Sequence, residues 1–523
     1  MLLNLRRGKR SLGIVLLSLH RSVGSCQNQQ MAISRNTTRQ EGRTSYVDIV
    51  KNRLSTLKSR FFFKPGDIEI LNSPLDFYDS LKRKISLAER RIFMASLYLG
   101  TSQDELINCI SEALQRKPEL KVYFLVDGLR GTRETPNKCS ASLLAQLVQK
   151  HGDRVDIRLY RTPEFTNLKK ALIPKRLNEG VGLQHMKIYG FDDEVILSGA
   201  NLSTDYFTNR QDRYYIFKSK SFSDYYFRLH QLVSKISYKV LYSTSLQKYS
   251  MVWPSSNLTV EPISNRKTFL NDCSIAFQKF LNDPGTENRS HAENQTEYPT
   301  VVYPVSQFTP LFGKNADHST EKRSILNILS SIPSSNVRWT FTAGYFNMLP
   351  EIKKLLIASP SKQGCVITAS PFANGFFESK GVSSHLPDAY LHLSHKFLKE
   401  VEENGKSAEI SLKEWRKGIV NTPGGWSYHA KGIWLSDNDE NDTRPAITVI
   451  GSSNYTRRAY SVDLESNAII VTRDSDLKQK MEAEIEKLQA NTSDVTLSDF
   501  QNDCTRKVSP GVRMATKILG KRL

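Results

Sequence analysis

Residues 184–203 read QHMKIYGFDDEVILSGANLS, and residues 428–456 read YHAKGIWLSDNDENDTRPAITVIGSSNYT. Each stretch carries His-x-Lys, an apolar run and then Gly and Asn: His185, Lys187, Gly199 and Asn201 in the first, His429, Lys431, Gly451 and Asn454 in the second. Strand side chains alternate, so residues i and i+2 share a face and each Lys points the same way as its His. One such pair is weak information, because 73 of the 523 residues are Lys or Arg and a basic residue often falls two places after a His. Two pairs 244 residues apart, each followed by the same element, are not.

The surroundings repeat at nearly the same interval. Residues 91–98 (RIFMASLY) are strand-like, 105–114 helix-like and 121–126 (KVYFLV) a buried-strand run; residues 337–346, 349–357 and 365–369 repeat the order. Tyr98 to Tyr345 is 247 residues and Val122 to Val366 is 244. A repeat of this period predicts a duplication, and the alternation of strand and helix predicts an α/β fold with a sheet covered by helices in each half. The predicted boundaries are a leader at 1–40, a first domain at 46–281, a polar linker at 282–300, a second domain at 301–500 and a basic tail at 501–523.

Residue types at the repeat suit phosphoryl chemistry. A neutral imidazole can attack phosphorus, and a second imidazole can carry a proton to or from oxygen. Two Lys and two Asn converging on one phosphate would stabilise the charge of the transition state. Eleven residues after Asn201 comes Asp212, and eleven after Asn454 comes Glu465, both candidates for orienting an imidazole. Ser203 and Thr456, two residues after each Asn, are candidate phosphate ligands, and Asp192 completes the first motif. The second motif departs from the first: Ser436 stands at the Asp position, Asp437 comes one place late, and eight extra residues lie within 436–444.

Composition bounds the partners. Lys and Arg exceed Asp and Glu by 20, which favours anionic lipid, nucleic acid or phosphorylated substrates. No apolar run approaches the roughly 20 residues that span a bilayer. The six cysteines form no C-x-x-C pair and read as reduced thiols in a non-secreted protein. Residues 1–40 contain seven basic residues and no acid, a mitochondrial presequence pattern, and their removal leaves the chain at +13. Two segments could lie in an anionic interface: Phe165, Leu168, Leu172 and Ile173 interleaved with Lys169, Lys170, Lys175 and Arg176, and the tail 505–523 with six basic residues and no acid. ASLYLGTS (95–102) lacks the lysine of a phosphate loop and reads as a strand with its turn, while His392 and His395 have no evident third metal ligand.

The paired motifs resemble those of the phospholipase D superfamily, H-x-K-x4-D followed by G-x-N or a close variant, once in each half. The resemblance covers about residues 70–475 and implies two α/β sandwiches sharing one site. It implies His185 as the nucleophile, His429 as general acid and then base, and Lys187, Lys431, Asn201 and Asn454 as phosphate ligands, with no metal or cofactor. Within that superfamily, ASLYLGTS, QHMKIYGFDD, NLSTDYFTNRQDRY (201–214) and GWSYHAKGIW are similar to the eukaryotic, mitochondrial phosphatidylglycerophosphate synthases. That likeness implies CDP-diacylglycerol and sn-glycerol 3-phosphate as substrates, peripheral contact with an anionic inner-membrane surface, and no nucleic acid. The alternatives are a nucleic-acid phosphodiesterase of the same superfamily and a membrane-binding scaffold with a decayed site.

Overall fold

In the computed structural model, residues 44–134, 138–165, 178–245, 247–283, 294 and 296–520 are described. The expected leader, residues 166–177 of the first candidate membrane segment and most of the expected linker lie outside them. The first half contributes β1 (Phe61–Phe63), β2 (Ile68–Leu71), β3 (Arg91–Ser96), β4 (Lys121–Asp127), β5 (Val155–Tyr160), β6 (Ile188–Phe191), β7 (Glu194–Ser198), β8 (Arg210–Gln211), β9 (Tyr214–Lys218), β10 (Tyr238–Tyr242) and β11 (Tyr249–Val252). The second contributes β12 (Thr300–Gln307), β13 (Arg338–Ala343), β14 (Gln363–Ala369), β15 (Ile410–Trp415), β16 (Ser427–Tyr428), β17 (Lys431–Ser436), β18 (Pro445–Gly451), β19 (Glu465–Thr472) and β20 (Thr492–Val495).

Two nine-stranded sheets result, ordered β11-β10-β5-β4-β3-β6-β7-β9-β2 and β1-β12-β19-β18-β17-β13-β14-β15-β20. Each has a parallel core, β3-β4-β5 or β13-β14-β15, and an antiparallel wing, β6-β7-β9 or β17-β18-β19. Parallel neighbours need a crossover, supplied by the helices Asp104–Arg116 and Pro350–Ala358. The duplication is thus visible strand for strand through the six central strands, β5-β4-β3-β6-β7-β9 against β15-β14-β13-β17-β18-β19. A central apolar core lies between the sheets and takes in the helices Lys220–Ser234, Arg266–Asn282 and Ser475–Gln489. Two outer cores cover the far faces of the sheets.

One expected boundary is displaced. The helix Tyr46–Arg53 and β1 fall inside the predicted first domain, yet β1 pairs with β12 and Tyr46, Val47 and Val50 bury in the outer core of the second sheet. The cause lies in the insertion at 436–444. Asp437 Oδ1 accepts from the Tyr46 backbone N–H at 2.7 Å, and its Oδ2 accepts from Ser45 Oγ at 2.6 Å.

The halves are clamped by one buried cation. Arg213, in the first half, donates to both oxygens of Glu484 at 2.8 and 3.0 Å, to the carbonyls of Lys431 and Val449 at 3.2 and 2.7 Å, and to Thr448 Oγ1 at 3.0 Å. Its guanidinium lies 3.9 Å from the Trp434 ring centroid, and Glu484 also accepts from Tyr215 and Trp434. Gly432 is required where it is, since a Cβ there would come within 1.9 Å of the guanidinium. Removing one partner of such a pair leaves a buried charge and costs about 3–5 kcal/mol, whereas replacing both by apolar groups costs far less. Urea denaturation should therefore place Arg213→Met about 3–5 kcal/mol below the parent, and Arg213→Met with Glu484→Leu well above the single variant.

Candidate active site

Each motif strand runs beside the acid-bearing segment of the other half. The His185 N–H donates to Leu464 O at 2.9 Å and Leu464 N–H returns a bond to Leu183 O at 2.8 Å; the His429 N–H donates to Gln211 O at 2.8 Å. These main-chain bonds set the side chains. His185 Nδ1 donates to Glu465 Oε1 at 2.9 Å, and His429 Nδ1 donates to Asp212 Oδ2 at 2.7 Å. Each half therefore orients the imidazole of the other, a crossing that equal spacing along the chain did not reveal. With Nδ1 so engaged, both Nε2 atoms are left for chemistry. Tyr206 Oη donates to that of His429 at 3.3 Å, and among the described residues none bonds that of His185.

Burial lowers the pKa of both imidazoles, and the facing carboxylates only partly offset it; His429, beside Lys431, falls to about 3. Both rings are neutral near pH 7. Burial also pushes Asp212 and Glu465 up, but Lys431 and His429 outweigh it at Asp212, and His185, Lys187 and Ser452 at Glu465, so both stay ionised. Lys187 and Lys431 are about 1% exposed, and burial depresses both, Lys187 to about 7. Lys187 Nζ donates to His185 O at 2.6 Å, and Lys431 Nζ lies 2.9 Å from His429 Nδ1 and 3.8 Å from Asp212. An anion placed between them would restore their charge.

The glycines of the two motifs permit this crowding. A Cβ on Gly199 would stand 2.6 Å from both Asp212 Oδ1 and Lys431 Nζ, and one on Gly451 2.1 Å from Asn467 Oδ1. Asn201 accepts from Leu97 N–H at 3.3 Å and donates to Tyr206 Oη at 3.1 Å, whereas Asn454 Oδ1 is buried with no hydrogen-bond partner among the described residues. Ser203 Oγ is 3.2 Å from Tyr98 Oη, at the edge of this cluster. Thr456 Oγ1 accepts from Ala459 N–H at 3.2 Å and caps a turn.

Asp192, expected among the catalytic residues, is not in the cluster. It sits at φ 48° in the β6–β7 turn, where its carboxylate accepts from the backbone N–H groups of Glu89, Arg90 and Arg91 at 2.7–2.9 Å. In the second half Ser436 Oγ accepts from Arg338 N–H at 2.8 Å. Arg91 and Arg338 open the matching strands β3 and β13, so the serine does the aspartate's work with one oxygen and the irregular second motif loses only an anchor. Residues that the sequence did not single out also enter the site: Tyr206; Tyr345, edge-on to His429 at 5.4 Å; Arg210; and Glu321. The periodic aromatics and a lone Arg gave no pattern to find them by.

Glu321 is fully buried near Ser453, Tyr460 and Asn467, and burial together with the charge of Glu465 pushes its carboxyl up to about 8 from 4.5. The folded state then holds a proton that the unfolded chain releases, so stability is lost as pH rises from about 4.5 to 8, by on the order of 4 kcal/mol. Glu321→Gln removes that dependence. In thermal unfolding the variant should gain on the parent at pH 8.5 relative to pH 5, and parallel pH profiles would show that the carboxyl is ionised in the fold.

No family model matches the chain. It is 58% identical over 479 residues to the CDP-diacylglycerol–glycerol-3-phosphate 3-phosphatidyltransferase of Saccharomyces cerevisiae, covering 91% of this chain and 92% of that one. The enzyme of the same name from Saccharomyces pastorianus is 56% identical over 484 residues, 92% of each chain. The Homo sapiens enzyme, named as mitochondrial, is 32% identical over 492 residues, 89% of this chain and 84% of its own. Among solved structures, phosphatidylserine synthase from Haemophilus influenzae Rd KW20 shares the fold, with a TM-score of 0.65 at 18% identity over 91% of this chain and 97% of that one. With identities this high across nearly the whole length, the chain belongs to the family of CDP-diacylglycerol–glycerol-3-phosphate 3-phosphatidyltransferases, the phosphatidylglycerophosphate synthases.

Proposed function

We propose that this chain moves the phosphatidyl group of CDP-diacylglycerol to the 1-hydroxyl of sn-glycerol 3-phosphate, releasing CMP and forming phosphatidylglycerophosphate, through a phosphatidyl-histidine. The observation that carries the reading is the pair of imidazoles, each tied through Nδ1 to an ionised, buried carboxylate from the other half. His185 Nε2 attacks the phosphatidyl phosphorus; the new N–P bond replaces the P–O bond to CMP. The imidazole is then cationic at Nδ1–H, where Glu465 stabilises it. CMP leaves on a phosphate whose last pKa is about 6, so departure near pH 7 demands little protonation. The second step is more demanding, because an alcohol must lose its proton. Neutral His429 takes it, Asp212 stabilises the imidazolium, the alkoxide oxygen bonds to phosphorus, and the P–N bond breaks. Lys187, Lys431, Asn201 and Asn454 hold the phosphate oxygens through both transfers; a preorganised donor of this kind contributes about 10²–10³-fold.

Labelled glycerol 3-phosphate and CDP-diacylglycerol in mixed micelles test this directly. Label should pass into lipid with the parent chain and not with folded His185→Ala, and a parent that releases CMP but labels no lipid would overturn the assignment. Asp192→Ser should keep turnover within about threefold of the parent, as expected of an anchor. The acid limb of kcat/KM for CDP-diacylglycerol should lie below pH 6.5, since the free His185 is held neutral. Glu465 supports the protonated ring, so Glu465→Gln should move that limb to still lower pH while slowing the reaction.

Membrane contact follows from the tail. The helix Pro510–Leu519, through Val512, and the segment before it, through Val508, pack against Ala389 and Leu391, leaving Met514 and Ile518 62% and 68% exposed beside exposed Lys507, Arg513 and Lys517. Gly520 O accepts from Asn347 at 2.7 Å, two residues from Tyr345 against His429, so the C-terminal end of this helix lies near the site. Among the described residues no helix is long and apolar enough to cross a membrane. The helix instead lies in an anionic interface beside the site mouth. Together with the basic leader and the mitochondrial names of vertebrate relatives, this supports a peripheral place on the inner mitochondrial membrane, where the basic surface serves lipid rather than nucleic acid. Met514→Asp with Ile518→Asp should cut sedimentation with anionic vesicles by at least about tenfold, the parent's binding should fall with salt, and undiminished binding of the double variant would relocate the contact.

A further inference from the structure

The duplication carries one ion pair whose polarity is reversed between the halves. Four and nine residues after Asn201 stand Asp205 and Arg210, bridged at 2.8 Å; four and nine residues after Asn454 stand Arg458 and Asp463, bridged at 3.1 Å. In each pair the residue nearer the site is the more buried. That residue is Arg210, 13% exposed, beside His429, but Asp463, 6% exposed, beside His185. Asp463 is committed to the fold, accepting from Leu183 N–H at 2.9 Å. Arg210 lies 4.6 Å over the ring of Tyr206, whose hydroxyl is on His429 Nε2, and its Nε donates to Ser427 Oγ at 2.9 Å. Opposite it, a Cβ on Gly375 would be 3.2 Å from Tyr345 Oη and 3.4 Å from Arg210 Nη2, which places the phenol and the guanidinium side by side under a residue with no side chain. Tyr206 has no counterpart: the matching position is Ala459.

From this asymmetry we infer that Arg210, with the hydroxyl of Tyr345, forms the subsite for the phosphomonoester of the acceptor, and so selects glycerol 3-phosphate over water or an uncharged alcohol. The inference rests on the phosphatidyltransferase reading. The acceptor hydroxyl must reach His429 Nε2, and its phosphate lies at the other end of a three-carbon chain. A cation one tyrosine away from that nitrogen matches the span, whereas the phosphate of departing CMP is bonded to the leaving oxygen itself and so lies closer to the reacting phosphorus that Lys187, Lys431 and the two Asn hold. Two negative charges on the acceptor phosphate meet a group that stays cationic, at a distance that leaves the reacting oxygen free. Asp205, half exposed, holds the guanidinium in place from the solvent side.

The test compares glycerol 3-phosphate with glycerol as acceptors for the full chain in mixed micelles, measuring label transfer and CMP release for the parent, Arg210→Lys and Arg210→Ala. A charge-assisted contact predicts that Arg210→Ala lowers the ratio of kcat/KM for glycerol 3-phosphate to that for glycerol by at least about tenfold, mainly through KM for glycerol 3-phosphate, with Arg210→Lys between. Thermal unfolding and the initial burst of CMP establish that the variants are folded. A ratio within twofold of the parent overturns the subsite, as does a loss confined to KM for CDP-diacylglycerol, which would give Arg210 to the leaving nucleotide instead. Absence of transfer by the parent would refute the underlying reading and not the subsite.

Discussion

Neither half of this molecule orients its own histidine. The carboxylate on His185 comes from 280 residues downstream and the one on His429 from 217 upstream, each delivered by a short main-chain bridge across the interface. Most other features near the site follow from protecting that exchange. A shift of the sheets by even an ångström would pull both buried carboxylates away from their imidazoles and leave four polar groups unsatisfied, at a cost of several kcal/mol. Arg213, adjacent in sequence to Asp212, fixes the register by reaching into β17 and β18, and Gly432 leaves the room its guanidinium occupies.

The same burial sets the electrostatics. Two lysines, two carboxylates and two imidazoles share a volume from which water is largely excluded, and there the carboxylates stay ionised while the lysines are depressed. In the proposed reaction a diester phosphate entering between the lysines would supply the missing counter-charge. Binding of the anion and stabilisation of the transition state would then draw on the same two ammonium groups, whose hold would strengthen as negative charge accumulates on phosphorus. Neutral rings complete the arrangement: one must be neutral to attack, the other to accept the acceptor's proton.

The sequence made this site legible because duplication supplied an internal control. His-x-Lys, Gly, Asn and an acid at fixed intervals stand out only when seen twice, and the α/β order of the sheets follows from the alternation of apolar runs around them. What the sequence concealed is three-dimensional crossing. Spacing offers Asp212 and Glu465 as orienting acids without saying which imidazole each serves, and the fold gives Asp212 to His429. Asp192 reads as part of a catalytic signature because it is near in sequence, although about four strand residues separate it from Lys187 and its bonds go to the backbone of residues 89–91. The helix Tyr46–Arg53 reads with the half it precedes, but Asp437, inside the insertion of the second motif, accepts from its first N–H on the other.

Duplication also shows where the two halves have diverged, and the divergence is chemically directed. Structural positions relax: Ser436 replaces Asp192 because one accepted hydrogen bond is enough to seat the first residue of the neighbouring strand. Positions that follow each motif Asn instead differentiate, as Tyr206 and Ala459 do at one repeat position and Arg210 and Asp463 at another. A symmetric pocket would bind the same group on both sides. A reaction that removes a nucleotide from one lipid and joins a phosphorylated alcohol in its place needs the two sides of one phosphorus to differ, with an attacking ring on one and a proton-accepting ring with its own anion site on the other. The pseudo-twofold scaffold provides matched imidazoles, and the reversed ion pair breaks the symmetry where the two partners of the phosphoryl group must be told apart.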